Sequence, residues 1–307
     1  MSPSTPSPYL VRRESRSQFI ALRGLRYHVR HWGDASMATK QRPPLLMWHG
    51  WMDVGASFQF VVDAMAHDRW VIAPDWRGFG LSESPQAQSY WFPDYLADID
   101  ALLDTLLPDQ QIDLLGHSMG ANATMLYAGV RPERIRRLVN LEGFGMPDAK
   151  PEQQPARYAR WMDELKNPDP LRRYDSLAAV AERLRKTNPL LPADRAAWLA
   201  GHWSRQAEDG LFDILGDAAH KISNPVLYRA DEVLACWKRI AAPVLWVEGD
   251  RTELAKWWGD RYSRDEFYAR LSVVPQAERH VLSPAGHMLH HDQPQALAER
   301  LEAFLDH

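Results

Sequence analysis

Leu114-Leu115-Gly116-His117-Ser118-Met119-Gly120-Ala121-Asn122-Ala123 is the stretch on which the reading of this chain turns. It continues an apolar run from Ile112 that has the look of a buried strand, and it leads at once into a helix-like run reaching Gly129. Between the two stands Gly-x-Ser-x-Gly. A turn this tight holds the serine in a strained backbone conformation, and the flanking glycines leave room for neighbouring backbone. The hydroxyl then stands free at the strand end, and the Met119 amide, at the helix N-terminus, points where an oxyanion would form. The pentad alone is weak evidence, because small residues crowd many turns. With a strand before it and a helix after it, we read a nucleophile elbow rather than a plain strand-to-helix turn.

On the N-terminal side, residues 19–22 and 25–32 read as an antiparallel hairpin around Gly24. Leu45-Leu46-Met47-Trp48 is a short apolar run, as expected of a strand covered on both faces, and it enters His49-Gly50-Trp51-Met52-Asp53. Residues 58–66 have helical spacing, and residues 70–74 form another buried strand that ends in Asp75-Trp76-Arg77-Gly78-Phe79-Gly80-Leu81-Ser82. Tyr95, Ile99, Leu102, Leu103 and Leu106 recur at three and four, which predicts a helix over 93–107. Beyond the elbow, residues 135–141 read as a strand ending in Glu142-Gly143-Phe144-Gly145. Strand and helix in alternation predict an α/β fold with a mostly parallel sheet and right-handed crossovers.

The pattern changes after Met146. Prolines punctuate helical pieces at 156–165, 176–186 and 193–204, and strand-like runs are nearly absent until 242. We therefore expect a helical cap at 147–232, inserted after the sixth strand, with the core domain formed by 1–146 and 233–307. Most apolar residues of the insertion should be its own core. An insertion here lies over the strands' C-terminal ends, where open sheets bind ligands, so a few should line a pocket. Trp161 in the insertion, with Trp76, Phe144 and Met288 on the loops, are the pocket candidates. The sheet resumes at 243–247 and ends in Glu248-Gly249-Asp250-Arg251-Thr252; a helix at 265–271, an extended run at 279–282 and a closing helix at 295–305 follow.

Composition narrows the partners. Across 307 residues, 36 basic and 40 acidic side chains give a net charge of -4, with no field of one sign to favour nucleic acid or a membrane. No apolar run is long enough to span a bilayer. The lone Cys236 excludes an internal disulfide and fits a reducing, cytoplasmic setting. The Ser/Pro-rich residues 1–8 read as a disordered tail, not a signal peptide. Neither metal nor cofactor is expected: no His-x-x-x-His pair sits beside carboxylates, and the glycine loop at 78–80 lacks the lysine of a phosphate cradle. A small-molecule substrate is the expected partner; the oligomeric state has no signature here.

A serine hydroxyl at its free pKa needs an adjacent base. Among 12 histidines, His287 follows the last strand in a Gly-bounded loop, Gly286-His287-Met288-Leu289-His290, where it can reach across the strand ends. His290 and His291 read as surface or helix-start residues, His117 as structural, and His49 as a pin for its own turn.

These pieces together resemble the α/β-hydrolase superfamily over nearly the whole chain. The resemblance rests on His49-Gly50-Trp51, Asp75-x-Arg77-Gly78-x-Gly80-x-Ser82, the elbow, and Gly286-His287, in that order. It implies the α/β-hydrolase fold, and an oxyanion hole from the Trp51 and Met119 amides. It also implies an acid, and there the chain departs from the usual pattern. The Gly-x-x-Asp expected after the strand at 243–247 is Gly249-Asp250-Arg251-Thr252, with threonine in the frame. Many haloalkane dehalogenases carry the acid one strand earlier, and Leu141-Glu142-Gly143-Phe144-Gly145-Met146-Pro147 resembles theirs. Glu142 is the favoured acid and Asp250 the alternative. A serine in place of their aspartate nucleophile implies acyl transfer: a serine hydrolase cleaving a carboxylic ester, or a related acyl bond, of a small apolar substrate. The alternative is a non-hydrolytic small-molecule receptor or cofactor-free lyase of the same fold. That reading gains if neither carboxylate reaches His287.

Overall fold

The computed structural model describes residues 7–306, so most of the tail expected at 1–8 lies outside the described residues. The strands are β1 (Arg16–Leu22), β2 (Leu25–Trp32), β3 (Leu45–Trp48), β4 (Val71–Pro74), β5 (Ile112–His117), β6 (Ile135–Leu141), β7 (Ser204–Gln206), β8 (Phe212–Ile214), β9 (Val244–Gly249) and β10 (Ala277–Leu282). The helices are α1 (Gln59–Ala64), α2 (Pro93–Leu106), α3 (Met119–Val130), α4 (Gln154–Lys166), α5 (Leu177–Thr187), α6 (Ala193–Trp203), α7 (Ala230–Trp237), α8 (Ala255–Trp258), α9 (Arg264–Leu271), α10 (Leu289–Asp292) and α11 (Pro294–Leu305).

Eight strands form one sheet in the order β1-β2-β4-β3-β5-β6-β9-β10. The pairs β1–β2 and β2–β4 are antiparallel and the others parallel. This is the α/β-hydrolase arrangement of a mostly parallel sheet between helices. The inner strands are apolar on both faces because both faces are covered. Leu114 and Leu115 show the alternation. Leu114 packs with Trp48, Ile72 and Trp246 toward α2, α3 and α9. Leu115 packs with Met47, Val71 and Val247 toward α1 and α11. Each such side chain, fully buried, is worth about 1.5–3 kcal/mol. With two faces packed, the strand ends are rigid supports for the loops that follow them.

The helix expected at 58–66 starts as a 3-10 turn, Gly55–Phe58, before α1. The segment 147–232 carries α4, α5 and α6 and has its own apolar core, in which Val180, Leu184, Leu191 and Leu199 meet Phe60 of α1. It is less purely helical than expected, because β7 and β8 pair as an antiparallel hairpin. Strands of three residues are too short to show a period. The expected boundary at 232 also falls inside α7, which packs on α3. The segment is tied to the glycine loop after β4: Asp217 N–H donates to the Gly78 carbonyl at 2.8 Å, and Gly80 N–H to that of Leu215 at 2.9 Å. Between these bonds the His220 imidazole is stacked between Phe79 and Tyr90, at 3.7 and 3.5 Å. No described helix is long and apolar enough to cross a membrane.

Candidate active site

One residue, Ser118, separates the end of β5 from the start of α3, at φ 51° and ψ −113°. This conformation is strained for a residue with a side chain. The glycines around it are steric necessities. A Cβ on Gly120 would lie 2.3 Å from the Trp48 carbonyl oxygen and 2.6 Å from that of His49; one on Gly116 would lie 2.5 Å from the Ala121 backbone. The helix start can crowd this close to β3 only without side chains there.

Three strand ends bring three polar side chains together. Ser118 Oγ lies 2.9 Å from Nε2 of His287, which sits in the loop between β10 and α10. His287 Nδ1 lies 3.0 Å from Oε2 of Glu142, the residue after β6. Glu142 also has a positive φ, 60°, and its side chain is fully buried. Its other oxygen accepts the Gly249 N–H at 2.6 Å. With the carboxylate against Nδ1, the proton of the neutral imidazole belongs on Nδ1, and Nε2 faces the hydroxyl as an acceptor. The His287 backbone is held as well: its carbonyl accepts the His117 Nε2–H at 2.8 Å. Burial, reinforced by His290 and His287 alongside, holds the His117 imidazole well below its usual pKa and therefore neutral. The Trp257 ring stands edge-on to His287, 4.6 Å between centroids. Sequence reasoning missed Trp257; the tryptophan pair on α8, just after a strand end, was the available signal.

Asp250 does not meet the imidazole. It is exposed, and its two oxygens accept the Ser283 hydroxyl at 2.7 Å and the Ala285 N–H at 2.9 Å. Those two donors hold its carboxyl below the usual range. It braces the turn that leads to His287.

The Trp51 and Met119 N–H groups have no protein acceptor among the described residues. Met52, at φ 54°, turns the chain just after Trp51, and the half-exposed Trp51 indole donates to the His220 carbonyl at 3.3 Å. His49 pins this turn with both nitrogens. Its Nδ1–H donates to the Gly50 carbonyl at 2.8 Å and its Nε2 accepts the Trp76 N–H at 3.0 Å. Asp75 frames the neighbouring loop, accepting N–H groups from Gly55 at 2.7 Å and Leu81 at 2.9 Å.

Of the pocket candidates, Trp76 is fully buried and stacked on Trp48 at 3.7 Å, and Phe144 is buried against Trp246 and Phe267. Both rings pack within the core. Trp161 is half-buried on α4, and Met288, beside His287, is also half-buried. A surface recess of about 640 Å³, lined by Arg160, Asp163, Glu164 and Lys221 among others, contains none of Ser118, His287 and Glu142. His290 and His291 overturn the surface reading: α10 turns them inward, and they are 0% and 3% exposed.

Residues 43–294 match the family model described as the α/β hydrolase fold. The chain belongs to that family. It is 25% identical over 273 residues to an esterase, YbfF, of Escherichia coli, covering 86% of this chain and 93% of that one. It is 26% identical over 209 residues to a serine hydrolase-like protein of Danio rerio; that match covers 66% of this chain and 63% of the relative, under two thirds of its length. Among solved structures, the thioesterase domain from the curacin biosynthetic pathway superposes with a TM-score of 0.79 at 26% identity, covering 94% of this chain and 99% of that one. The chain is thus an α/β-hydrolase-fold hydrolase.

Proposed function

We propose that this hydrolase cleaves a carboxylic ester, or a closely related acyl bond, of a small apolar substrate through an acyl-enzyme on Ser118. The observation that carries the reading is the unbroken chain of contacts from Ser118 Oγ through His287 to Glu142, at 2.9 and 3.0 Å. Ser118 Oγ attacks the substrate carbonyl carbon while His287 Nε2 takes the hydroxyl proton. Glu142 stabilises the imidazolium that results. The oxyanion of the tetrahedral intermediate accepts hydrogen bonds from the Trp51 and Met119 amides. Collapse breaks the bond to the leaving alcohol, which takes its proton from His287. Water then repeats the sequence: His287 accepts its proton, hydroxide adds to the acyl carbon, and Ser118 leaves protonated, freeing the acid.

The segment 147–232 acts in this reading as a cap over the strand ends, with Trp161 and Met288 facing the acyl or alcohol group. The names of the bacterial esterase and the fish serine hydrolase-like relative support ester hydrolysis. The test is turnover of p-nitrophenyl esters of increasing chain length. Hydrolysis should be saturable and fall by at least about 10⁴-fold in Ser118→Ala. Turnover that survives in Ser118→Ala overturns the reading.

A further inference from the structure

Behind the elbow, four titratable side chains converge from separate parts of the chain. Asp53 comes from the loop after β3, His117 from the end of β5, and His290 and His291 from α10. They are 3%, 1%, 0% and 3% exposed. The His290 ring lies 4.4 Å from that of His117 and 4.2 Å from that of His291. Five of their polar atoms are buried without a protein partner at hydrogen-bond distance: Asp53 Oδ2, His117 Nδ1, both ring nitrogens of His290, and His291 Nε2. Buried polar atoms are almost always satisfied, and a cluster of exceptions calls for an explanation.

The donor set supplies one. One oxygen of Asp53 and one nitrogen from each of His290 and His291 all lie within 4.8 Å of one another. The Asp53 Oδ2 to His290 Nε2 distance is 3.7 Å. Ligands held tetrahedrally at zinc-type bond lengths stand about 3.3 Å apart, so modest inward movement of the side chains would complete the geometry. Two imidazoles and a carboxylate are the mixed nitrogen and oxygen ligands that zinc-like cations take. The second Asp53 oxygen is already fixed by the Ser57 hydroxyl and by the Trp203 indole N–H at 3.2 Å, the kind of outer support that orients a ligating carboxylate.

We propose that Asp53, His290 and His291 form a binding site for a divalent cation of the zinc type, separate from the Ser118–His287–Glu142 chain of contacts. Its ligands join two loops that matter elsewhere: Asp53 lies two residues after Trp51, and His290 three residues after His287. A bound cation would staple these loops from behind.

The test needs no substrate, so its outcome is independent of the hydrolytic reading. The full chain is stripped with a chelator and titrated with ZnCl₂ alone by calorimetry. A parallel titration with CoCl₂ is followed by visible absorption. One equivalent per chain is expected, with the cobalt form showing the intense bands of a four-coordinate site. His291→Gln and Asp53→Asn should each weaken binding at least tenfold, while His67→Gln, at an exposed histidine, should leave it unchanged. Absence of stoichiometric uptake and cobalt bands in the folded wild-type chain overturns the site and assigns the cluster to ordered water. So does affinity unchanged from wild type in both ligand variants, which would place the ion elsewhere. The wild-type cobalt spectrum decides the matter even if a variant does not fold.

Discussion

Glu142 and His287 meet at 3.0 Å although 145 residues separate them. Glu142 divides its carboxylate between this imidazole and the Gly249 N–H. One oxygen thus ties the carboxylate to the end of β9, while the other faces Nδ1 of the imidazole. The position usually occupied by the family's acid holds Thr252, and nearby Asp250 is spent on the turn before His287. The carboxylate that meets His287 comes instead from the end of β6.

If Glu142 orients the base, Glu142→Gln should lower kcat by about 10³–10⁴-fold with little change in KM, because an amide favours the wrong tautomer. Asp250→Asn should keep kcat within about tenfold. Steady-state kinetics of both variants on one ester checks this; the opposite ranking would return the acid to Asp250.

The His117 tether makes a smaller prediction. Removing its N–H in His117→Leu leaves the His287 carbonyl unpaired, a loss of about 1–3 kcal/mol. Felt in the transition state, that is a fall in kcat of roughly 5- to 150-fold. KM should hold, and kcat measured against the unchanged wild-type fold by circular dichroism tests it.

Two glycines should respond oppositely to alanine. Gly120→Ala puts a Cβ into the Trp48 and His49 carbonyls and should cost at least about 1–3 kcal/mol. Gly201, inside α6, has nothing within 4 Å of such a Cβ, so Gly201→Ala should stabilise by about 0.5–1 kcal/mol. Urea unfolding midpoints measure both.

His220 ties the 147–232 segment to the loop after β4, and its burial depresses its pKa to about 3. In the unfolded chain a histidine takes up its proton near pH 6.5, whereas in the folded chain it does so only near 3. Its contribution to stability is therefore complete above about pH 6.5 and is lost as pH falls toward 3, on the order of 2 kcal/mol by pH 5. His220→Phe keeps a ring between Phe79 and Tyr90 and should flatten that part of the stability–pH curve.

Much of this was legible in the chain itself, for local reasons. The elbow is a five-residue pattern with its strand and helix beside it, and the three together singled out Ser118 as a candidate. Glu142 was a candidate because it follows directly on the end of β6, and His287 because it stands in the Gly-bounded loop between β10 and α10. What stayed hidden depends on packing between distant segments. Aromatic loop residues do not announce which side they face, so Trp76 and Phe144 looked like pocket walls and are packed in the core. His290 and His291, adjacent polar residues at a helix start, looked exposed; only the docking of α10 against the Asp53 loop buries them. The hairpin of β7 and β8 was too short to leave a period.

The central claim is that Ser118 is a nucleophile activated by His287. Intact-mass spectrometry after exposure to a fluorophosphonate probe tests it most directly, because it reads covalent capture without knowledge of the substrate. One adduct per chain, mapped to Ser118, slowed strongly in Glu142→Gln and absent in Ser118→Ala, is the expected result. An unlabelled wild-type chain, under conditions that fully label a standard esterase, would contradict it.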